Sequence, residues 1–273
     1  MTYGLEASLL AELLLLGSVT GLLAGLLGVG GGMLLVPFLT LILEHRGVAP
    51  DLAVKMAIAT SMSTILFTSL SSVRAHHGRG AVRWDLVRGL APGILVGGLV
   101  GGAGVFAHLK GAWLAVFFAA FVSVPATRMW RRHPPTPGRA LPGRVGRALV
   151  GAAIGFLSGL VGAGGGFISV PFMTRCNVDI HRAVATSAAL GFPIALANTA
   201  GYLFGGRHLP AALPGAVGYL FVPALVALAT TSVLTAPVGA RLAHGMQVTR
   251  LERVFATLLY ALAAAMLYKG LRT

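Results

Sequence analysis

Long apolar runs separated by short polar stretches occupy almost the whole chain. Most of these runs approach the length of about 20 residues that a helix needs to cross the hydrocarbon core of a bilayer. The pattern therefore predicts an all-α, polytopic membrane protein. The predicted apolar segments lie at 13–27, 31–43, 53–73, 86–107, 112–129, 148–174, 183–204, 214–236 and 251–268.

The largest polar interruption lies at 130–147 and is rich in proline, glycine and arginine. This composition predicts an extended loop, because proline and glycine interrupt helices. The loop divides the chain into a first membrane repeat at 1–129 and a second membrane repeat at 148–273.

The two halves match each other in sequence, which indicates an internal repeat. Residues 21–40 align with residues 155–174 at a constant offset, and more than half of the aligned positions are identical. A second match follows in each half, where Ala59-Thr60-Ser61 corresponds to Ala185-Thr186-Ser187. We infer two homologous halves.

Each matching segment contains three consecutive glycines, Gly30–Gly32 and Gly164–Gly166. A glycine inside a helix costs about 1 kcal/mol relative to alanine, so we predict a helix break at each triplet. Other glycines ahead of the triplets have the small-xxx-small spacing that lets membrane helices pack closely. These are Gly21 with Gly25, and Gly155 with Gly159.

Two arrangements fit a broken helix of this length. The first piece, Leu13–Leu27, would extend only about 22 Å, so the two pieces form either one interrupted crossing or a re-entrant hairpin. A hairpin leaves three transmembrane helices in each repeat, an odd number, and the second repeat is then inverted. Inversion places more of the 21 Lys and Arg residues on the side of the 130–147 linker than parallel repeats do. The positive-inside rule therefore favours inverted repeats with a cytoplasmic linker.

The composition supports the membrane interpretation and narrows the partners. The chain is 56% hydrophobic and 10% charged, whereas a soluble domain averages about 25% charged residues. The net charge of +14 is explained by basic loops of a membrane protein, so we expect the lipid bilayer as a partner and no nucleic acid. The single cysteine, Cys176, excludes an internal disulfide.

Inverted repeats with paired broken helices are typical of secondary transporters that bind substrate near the bilayer midplane. A glycine break that begins a half-helix exposes unpaired N–H groups at a positive dipole end, which suits a small anionic substrate. Hydroxyls in both repeats are candidate ligands, although Ser and Thr in membrane helices also bond to backbone. The predicted substrate-binding residues are Gly30, Gly31, Gly32, Thr60, Ser61, Gly164, Gly165, Gly166, Thr186 and Ser187.

No catalytic residue, metal site or cofactor is predicted. All seven acids lie at or near predicted segment ends, where helix capping explains Asp51 and Asp179. A serine hydrolase based on Ser158 is disfavoured because the matching position in the first half is Ala24.

The histidines lack the partners of a metal site. The cluster Arg74, His76 and His77 fits either one end of an anion path or, as we prefer, an interfacial cluster with a snorkelling arginine.

The duplicated glycine triplets ending in Val-Pro-Phe, each followed by Ala-Thr-Ser, resemble the TauE/SafE sulfite exporter family, also called the four-toluenesulfonate uptake permease family. The stretch PVGARLA at 237–243 also resembles its second-half pattern, while the first-half counterpart GAGVFAHL departs from it. The resemblance implies an inner-membrane secondary transporter that exports sulfite or small organosulfonates such as sulfoacetate. An anion channel is the alternative, and an intramembrane enzyme or a scaffold is a weaker one.

Overall fold

A computed structural model of the protein describes residues 7–27, 32–78, 80–131, 138, 140–243 and 248–272. The described chain is almost entirely helical, as predicted. The helices of the first half are α1 Ala7–Leu27, α2 Gly32–His45, α3 Pro50–His77, α4 Trp84–Leu99, α5 Phe106–His108 and α6 Gly111–Arg131. Those of the second half are α7 Arg144–Val161, α8 Gly166–Arg175, α9 Ile180–Gly206, α10 Val222–Ala243 and α11 Val248–Arg272.

Seven of the described helices are long and apolar enough to cross a bilayer. They fall on α1, α3, the continuous stretch from α4 to α5, α6, α7, α9 and α11. A π-helical segment, Val100–Val105, joins α4 to α5 and contains three glycines. Its Gly102 packs closely on α9, where an added methyl group would lie 2.9 Å from the Asn198 carbonyl oxygen.

Helices α1 and α2 form a returning hairpin rather than one interrupted crossing. Arg46, which follows α2, donates to the Ser8 Oγ at 3.0 Å and pairs with the Glu12 carboxylate at 3.2 Å. Both partners lie near the start of α1, so the chain returns to the side from which it came. In the second half, Arg175 at the end of α8 lines the same cavity as Pro142, which precedes α7.

The expectation that the first piece is too short to cross alone is wrong. Helix α1 begins at Ala7 and contains 21 residues, about 31 Å at 1.5 Å per residue. The ion pair with Arg46 stabilises Glu12 inside this helix, so α1 begins before the predicted start at Leu13. The returning pieces are the short ones, since α2 has 14 residues and α8 has 10 residues.

Equivalent helices of the two halves run antiparallel, which confirms inverted repeats. Helices α3 and α9 carry the matching Ala-Thr-Ser sequences; Ser63 of α3 hydrogen-bonds Thr199 of α9 at 3.0 Å. Further along α3, Ser69 meets Gly191, which lies earlier in α9. Helices α6 and α11 also run in opposite directions. Thr127 near the end of α6 bonds Tyr260 in the middle of α11 at 2.6 Å, whereas a methyl group on Gly270 near the end of α11 would lie 2.8 Å from the Ala112 carbonyl oxygen at the start of α6.

The first helix of each half packs against a helix of the other half. Helix α1 packs along α10, where a methyl group on Gly21 would lie 2.7 Å from the Ser232 carbonyl oxygen. The equivalent α7 packs along α4, where a methyl group on Gly155 would lie 2.9 Å from the Gly98 nitrogen. The predicted packing role of these glycines is therefore confirmed at Gly21 and Gly155. The two halves interlock around α3 and α9.

The segment predicted at 214–236 begins with a β-hairpin and not with a helix. Strand β1, Ala216–Val217, pairs antiparallel with β2, Leu220–Phe221. Gly218 has a φ of +57°, and glycine is favoured in the two-residue turn between such strands. Helix α10 starts only after this hairpin.

The predicted linker is shorter than its assigned range. Helix α6 extends to Arg131 and α7 begins at Arg144. Helix α9 starts as predicted, because the Asp179 carboxylate accepts from the His181 amide at 3.0 Å. Asp51, in contrast, does not cap α3; it accepts a hydrogen bond from the Gly111 amide at the start of α6.

Candidate functional site

The second glycine triplet lies at a helix break. Helix α7 ends at Val161, and α8 begins at Gly166. Between them, Gly162 and Gly165 adopt left-handed conformations with φ of +72° and +74°. Only glycine adopts such angles without strain, so the break depends on the residue type at these two positions.

The break leaves backbone donors unpaired. The amides of Gly162 and Ala163 both donate to the Ser158 carbonyl, which closes the end of α7. The next donating amide is that of Ile168, which bonds the Gly165 carbonyl at 3.0 Å. Within the described residues, the four amides of 164–167 donate to no acceptor. They are the unpaired N–H groups that open a helix and carry its positive dipole end.

The first break meets the second. Helix α1 ends at Leu27 and α2 begins at Gly32, while Gly30 and Gly31 lie outside the described residues. Gly32 is buried, and a methyl group on it would lie 2.8 Å from the Gly162 carbonyl oxygen. Gly162 in turn contacts α3, since its own added methyl group would lie 3.1 Å from the Ile58 carbonyl oxygen. The two halves thus bring their breaks together beside α3.

Thr60 and Thr186 occupy symmetric positions and bond the opposite repeat. The Thr60 hydroxyl accepts from the amide of Phe221, in the hairpin before α10, at 3.1 Å. The Thr186 hydroxyl accepts from the amide of Arg83, just before α4, at 3.0 Å and donates to the Arg182 carbonyl. Both hydroxyls therefore tie α3 or α9 to a connection of the other half. Their contact with substrate stays a prediction.

The two matching serines differ in their partners. The Ser187 hydroxyl accepts from the Ser169 hydroxyl at 2.8 Å. The matching position to Ser169 in the first half is Leu35, which has no hydroxyl to offer. The Ser61 hydroxyl is fully buried and has no hydrogen-bond partner among the described residues. An unsatisfied buried polar group costs about 1–3 kcal/mol, so it needs an explanation.

Sequence reasoning missed one polar side chain at the break. Ser158 is fully buried, and its Oγ has no partner in the part of the chain that the structure describes. The Oγ would lie 3.2 Å from a methyl group on Gly165. Asn198 lies nearby on α9 and donates to the Gly155 carbonyl at 3.1 Å, while its Oδ1 accepts no hydrogen bond from any described residue. The available signal for Ser158 was its asymmetry between the halves, because the matching residue Ala24 has no hydroxyl.

The cluster at the end of α3 lies away from the breaks. Arg74 and His77 are exposed, and the His77 ring accepts from the Trp84 indole N–H at 3.2 Å. Ile65, which faces Gly32 and Gly164, lies about 14 Å along α3 from Arg74. This placement favours the interfacial interpretation of the cluster.

One cavity of the described structure reaches Phe167, beside the second break, but not the glycines of the break. It has a volume of about 520 Å³, lies between α6, α7 and α8, and is lined by none of the predicted site residues. Thr60, Ser61 and Thr186 are instead closed off by packed helices.

A comparison with known protein families shows to which family the chain belongs. A family model described as "Sulfite exporter TauE/SafE" matches residues 13–266. The chain belongs to the TauE/SafE sulfite exporter family. No solved structure matches it.

Three curated relatives extend over almost the whole TauE/SafE chain. A probable membrane transporter protein of Haemophilus influenzae is 32% identical and is aligned over 94% of this chain and 97% of its own. Similar proteins of Methanocaldococcus jannaschii and Bacillus subtilis are 27% and 26% identical, with at least 95% of each chain aligned. Together with the spans of the fold, these matches make the TauE/SafE chain a multi-pass membrane transporter and not an enzyme.

Proposed function

We propose that this transporter exports sulfur-containing anions, either sulfite or small organosulfonates such as sulfoacetate, across the inner membrane. The substrate site lies where the two glycine breaks meet, and transport proceeds by alternating access around it. The observation that carries this proposal is the contact of Gly32 with Gly162 beside the unpaired amides of 164–167.

The chemistry of the breaks supports an anion. The unpaired amides at the start of α8 are hydrogen-bond donors at a positive helix end. The hydroxyls of Ser61 and Ser158 can donate as well, and neither has a partner within the described ranges of the chain. An oxyanion with several acceptor oxygens would satisfy these donors together. We assign the substrate-binding role to Gly32, Gly164–Gly166, Ser61 and Ser158, and retain Thr60, Thr186 and Ser187 as candidates.

Burial of the site supports alternating access rather than an open pore. Ser61 and Ser158 are both fully buried, so an anion reaches them only after the surrounding helices move. The antiparallel α3 and α9 form the seam between the inverted halves, and inverted repeats are suited to rocking around a fixed site. The hydrogen bonds of Thr60 and Thr186 link α3 and α9 to the connections that precede α10 and α4 of the opposite half.

The sulfur chemistry and the direction rest on the family description. The family model that matches residues 13–266 is named for sulfite export. Backbone amides and hydroxyls suit the oxygens of a tetrahedral sulfonate or a pyramidal sulfite. The topology follows from charge: inverted repeats place most of the basic residues beside the 130–147 linker, so we assign the linker to the cytoplasm.

A flux assay tests the function. Purified protein in proteoliposomes is given sulfite, sulfate, thiosulfate and two-carbon sulfonates in turn. We expect saturable uptake and counterflow of sulfite or a sulfonate. No flux of any sulfur anion would contradict the substrate assignment, and unitary voltage-driven currents without counterflow would make the protein a channel.

Labelling tests the topology. A cysteine introduced at Gly138 in a Cys176→Ser background should resist a membrane-impermeant maleimide in intact cells and react after the cells are opened. Reaction in intact cells would place the linker outside.

A further inference from the structure

The cavity between α6, α7 and α8 has the character of a second binding site. Its volume of about 520 Å³ is within the usual range for a ligand pocket. Most of its walls are apolar or aromatic. They are formed by Phe121, Val124, Pro125, Ala140, Pro142, Val150, Phe167, Ile168, Pro171 and Phe172, with Cys176 beside them.

Two arginines give this cavity a positive charge. Arg128 lies in the last turn of α6 and Arg175 in the last turn of α8, and both line the cavity. No acidic residue lines it, and neither arginine has a hydrogen-bond or ion-pair partner in the part of the chain that the structure describes. Interaction with the helix dipoles explains an arginine at each helix end, but it does not explain why both line one apolar cavity.

We propose that this cavity binds one anionic phospholipid, with the phosphate held by Arg128 and Arg175 and an acyl chain along the apolar walls. Guanidinium groups bind phosphate through two parallel hydrogen bonds, and basic pockets between membrane helices bind anionic headgroups. A lipid fits better than a small soluble anion because the walls below the arginines offer apolar contact. Val124, which lines the cavity, is 52% exposed on a helix that spans the bilayer, so acyl chains can reach it.

The bound lipid would contact the start of α8. Phe167 and Ile168 line the cavity and directly follow Gly166, where the helix opens. The lipid therefore supports α8 from the side opposite to its packing on α9 and stabilises the hairpin. This inference does not depend on which anion the protein transports.

Lipid retention tests the proposal independently of transport. The intact protein is incorporated into nanodiscs containing equal amounts of phosphatidylglycerol and phosphatidylcholine, released into mild detergent, and analysed by native mass spectrometry. We expect one phosphatidylglycerol retained by the wild type, and about tenfold less retention by the Arg128→Gln/Arg175→Gln variant, as loss of charged hydrogen bonds predicts. The matched control Arg131→Gln/Arg144→Gln removes two cations from the same region, neither of which lines the cavity, and should retain the lipid.

A second variant separates the cavity from the charge. Val150→Trp narrows the cavity while leaving both arginines, and it should also lower lipid retention. If the glutamine variant does not fold, the Arg128→Lys/Arg175→Lys variant replaces it. The lysine variant should retain the lipid more weakly than wild type. Equal retention by wild type and the glutamine or tryptophan variants would overturn the proposal. So would displacement of the lipid by millimolar glycerol phosphate, because the site would then bind a free anion.

Discussion

A methyl group at Gly165 should disrupt the second break. This residue has a φ of +74°, a left-handed conformation that costs an alanine about 1–2 kcal/mol. The added carbon would also lie 2.5 Å from the Ile194 Cδ1 and 3.1 Å from the Ile154 Cγ2. Because the Ile194 terminus can rotate, we add only about 0.5–1 kcal/mol for an unfavourable rotamer.

The neighbouring glycine provides a matched control. Gly164 does not have a positive φ, and a methyl group on it would meet the Ile65 side chain at 3.5 Å, an ordinary contact. Gly164→Ala therefore adds the same group to the same turn without the conformational penalty. Differences between the two variants report the backbone geometry of the break rather than its hydrophobicity or volume.

Sulfite affinity and flux are the measurements for this pair. A penalty of about 1.5–3 kcal/mol lowers the equilibrium constant for forming the native break by about 10–150-fold and weakens apparent affinity by up to the same factor. We expect that loss for Gly165→Ala by calorimetry and in proteoliposomes. Gly164→Ala keeps the backbone amide that is assigned to the substrate and should remain within about twofold of wild type. Wild-type affinity in Gly165→Ala, or equal losses in both variants, would refute a site built on this geometry.

Substitutions at four further positions test other parts of the site and fold. Ser61→Ala should weaken sulfite binding about tenfold without lowering thermal stability, because the hydroxyl bonds none of the residues that the structure describes. Unchanged affinity would remove Ser61 from the site. Thr60→Val leaves the buried Phe221 amide unpaired and should destabilise the protein by about 1–3 kcal/mol in thermal unfolding, and Thr186→Val should behave alike; unchanged melting would deny the bridges a structural role. Asp179→Ala should lower the free energy of unfolding by about 1 kcal/mol because α9 loses its N-cap, whereas Asp179→Asn should leave it nearly unchanged. Equal melting temperatures of the two variants would contradict the capping assignment.

The sequence was informative where the repeat supplied two copies of one pattern. The paired glycine triplets predicted the broken helices, and the odd number of remaining crossings predicted the inversion that the antiparallel α3 and α9 display. Local physics was sufficient here, because glycine-rich backbone and hydropathy act within a few turns of the chain.

Features that depend on distant partners were not predictable in this way. Thr60 and Thr186 were recognised as a matched pair, but their partners, Phe221 and Arg83, lie 161 and 103 residues away in the chain. The start of α1 was missed because Glu12 is neutralised by Arg46, across the hairpin. In each case a tertiary contact decides what a local pattern leaves open.

The β-hairpin before α10 was missed for a different reason. The apolar run through 214–236 contains short strands and a helix of similar hydropathy, and periodicity does not separate short buried strands from helix. The glycines at 215 and 218, both with positive φ, were the available signal for turns.

Locating the bound anion would test the site itself. Selenite has the shape and charge of sulfite and contains a strong anomalous scatterer, so crystals grown with selenite reveal its position. We expect the anomalous peak of selenium to lie beside Gly32. The selenite oxygens should then lie about 2.7–3.2 Å from the amide nitrogens of Gly166 and Phe167. A well-occupied peak found only elsewhere, for example between Arg128 and Arg175, would contradict anion binding at the paired breaks.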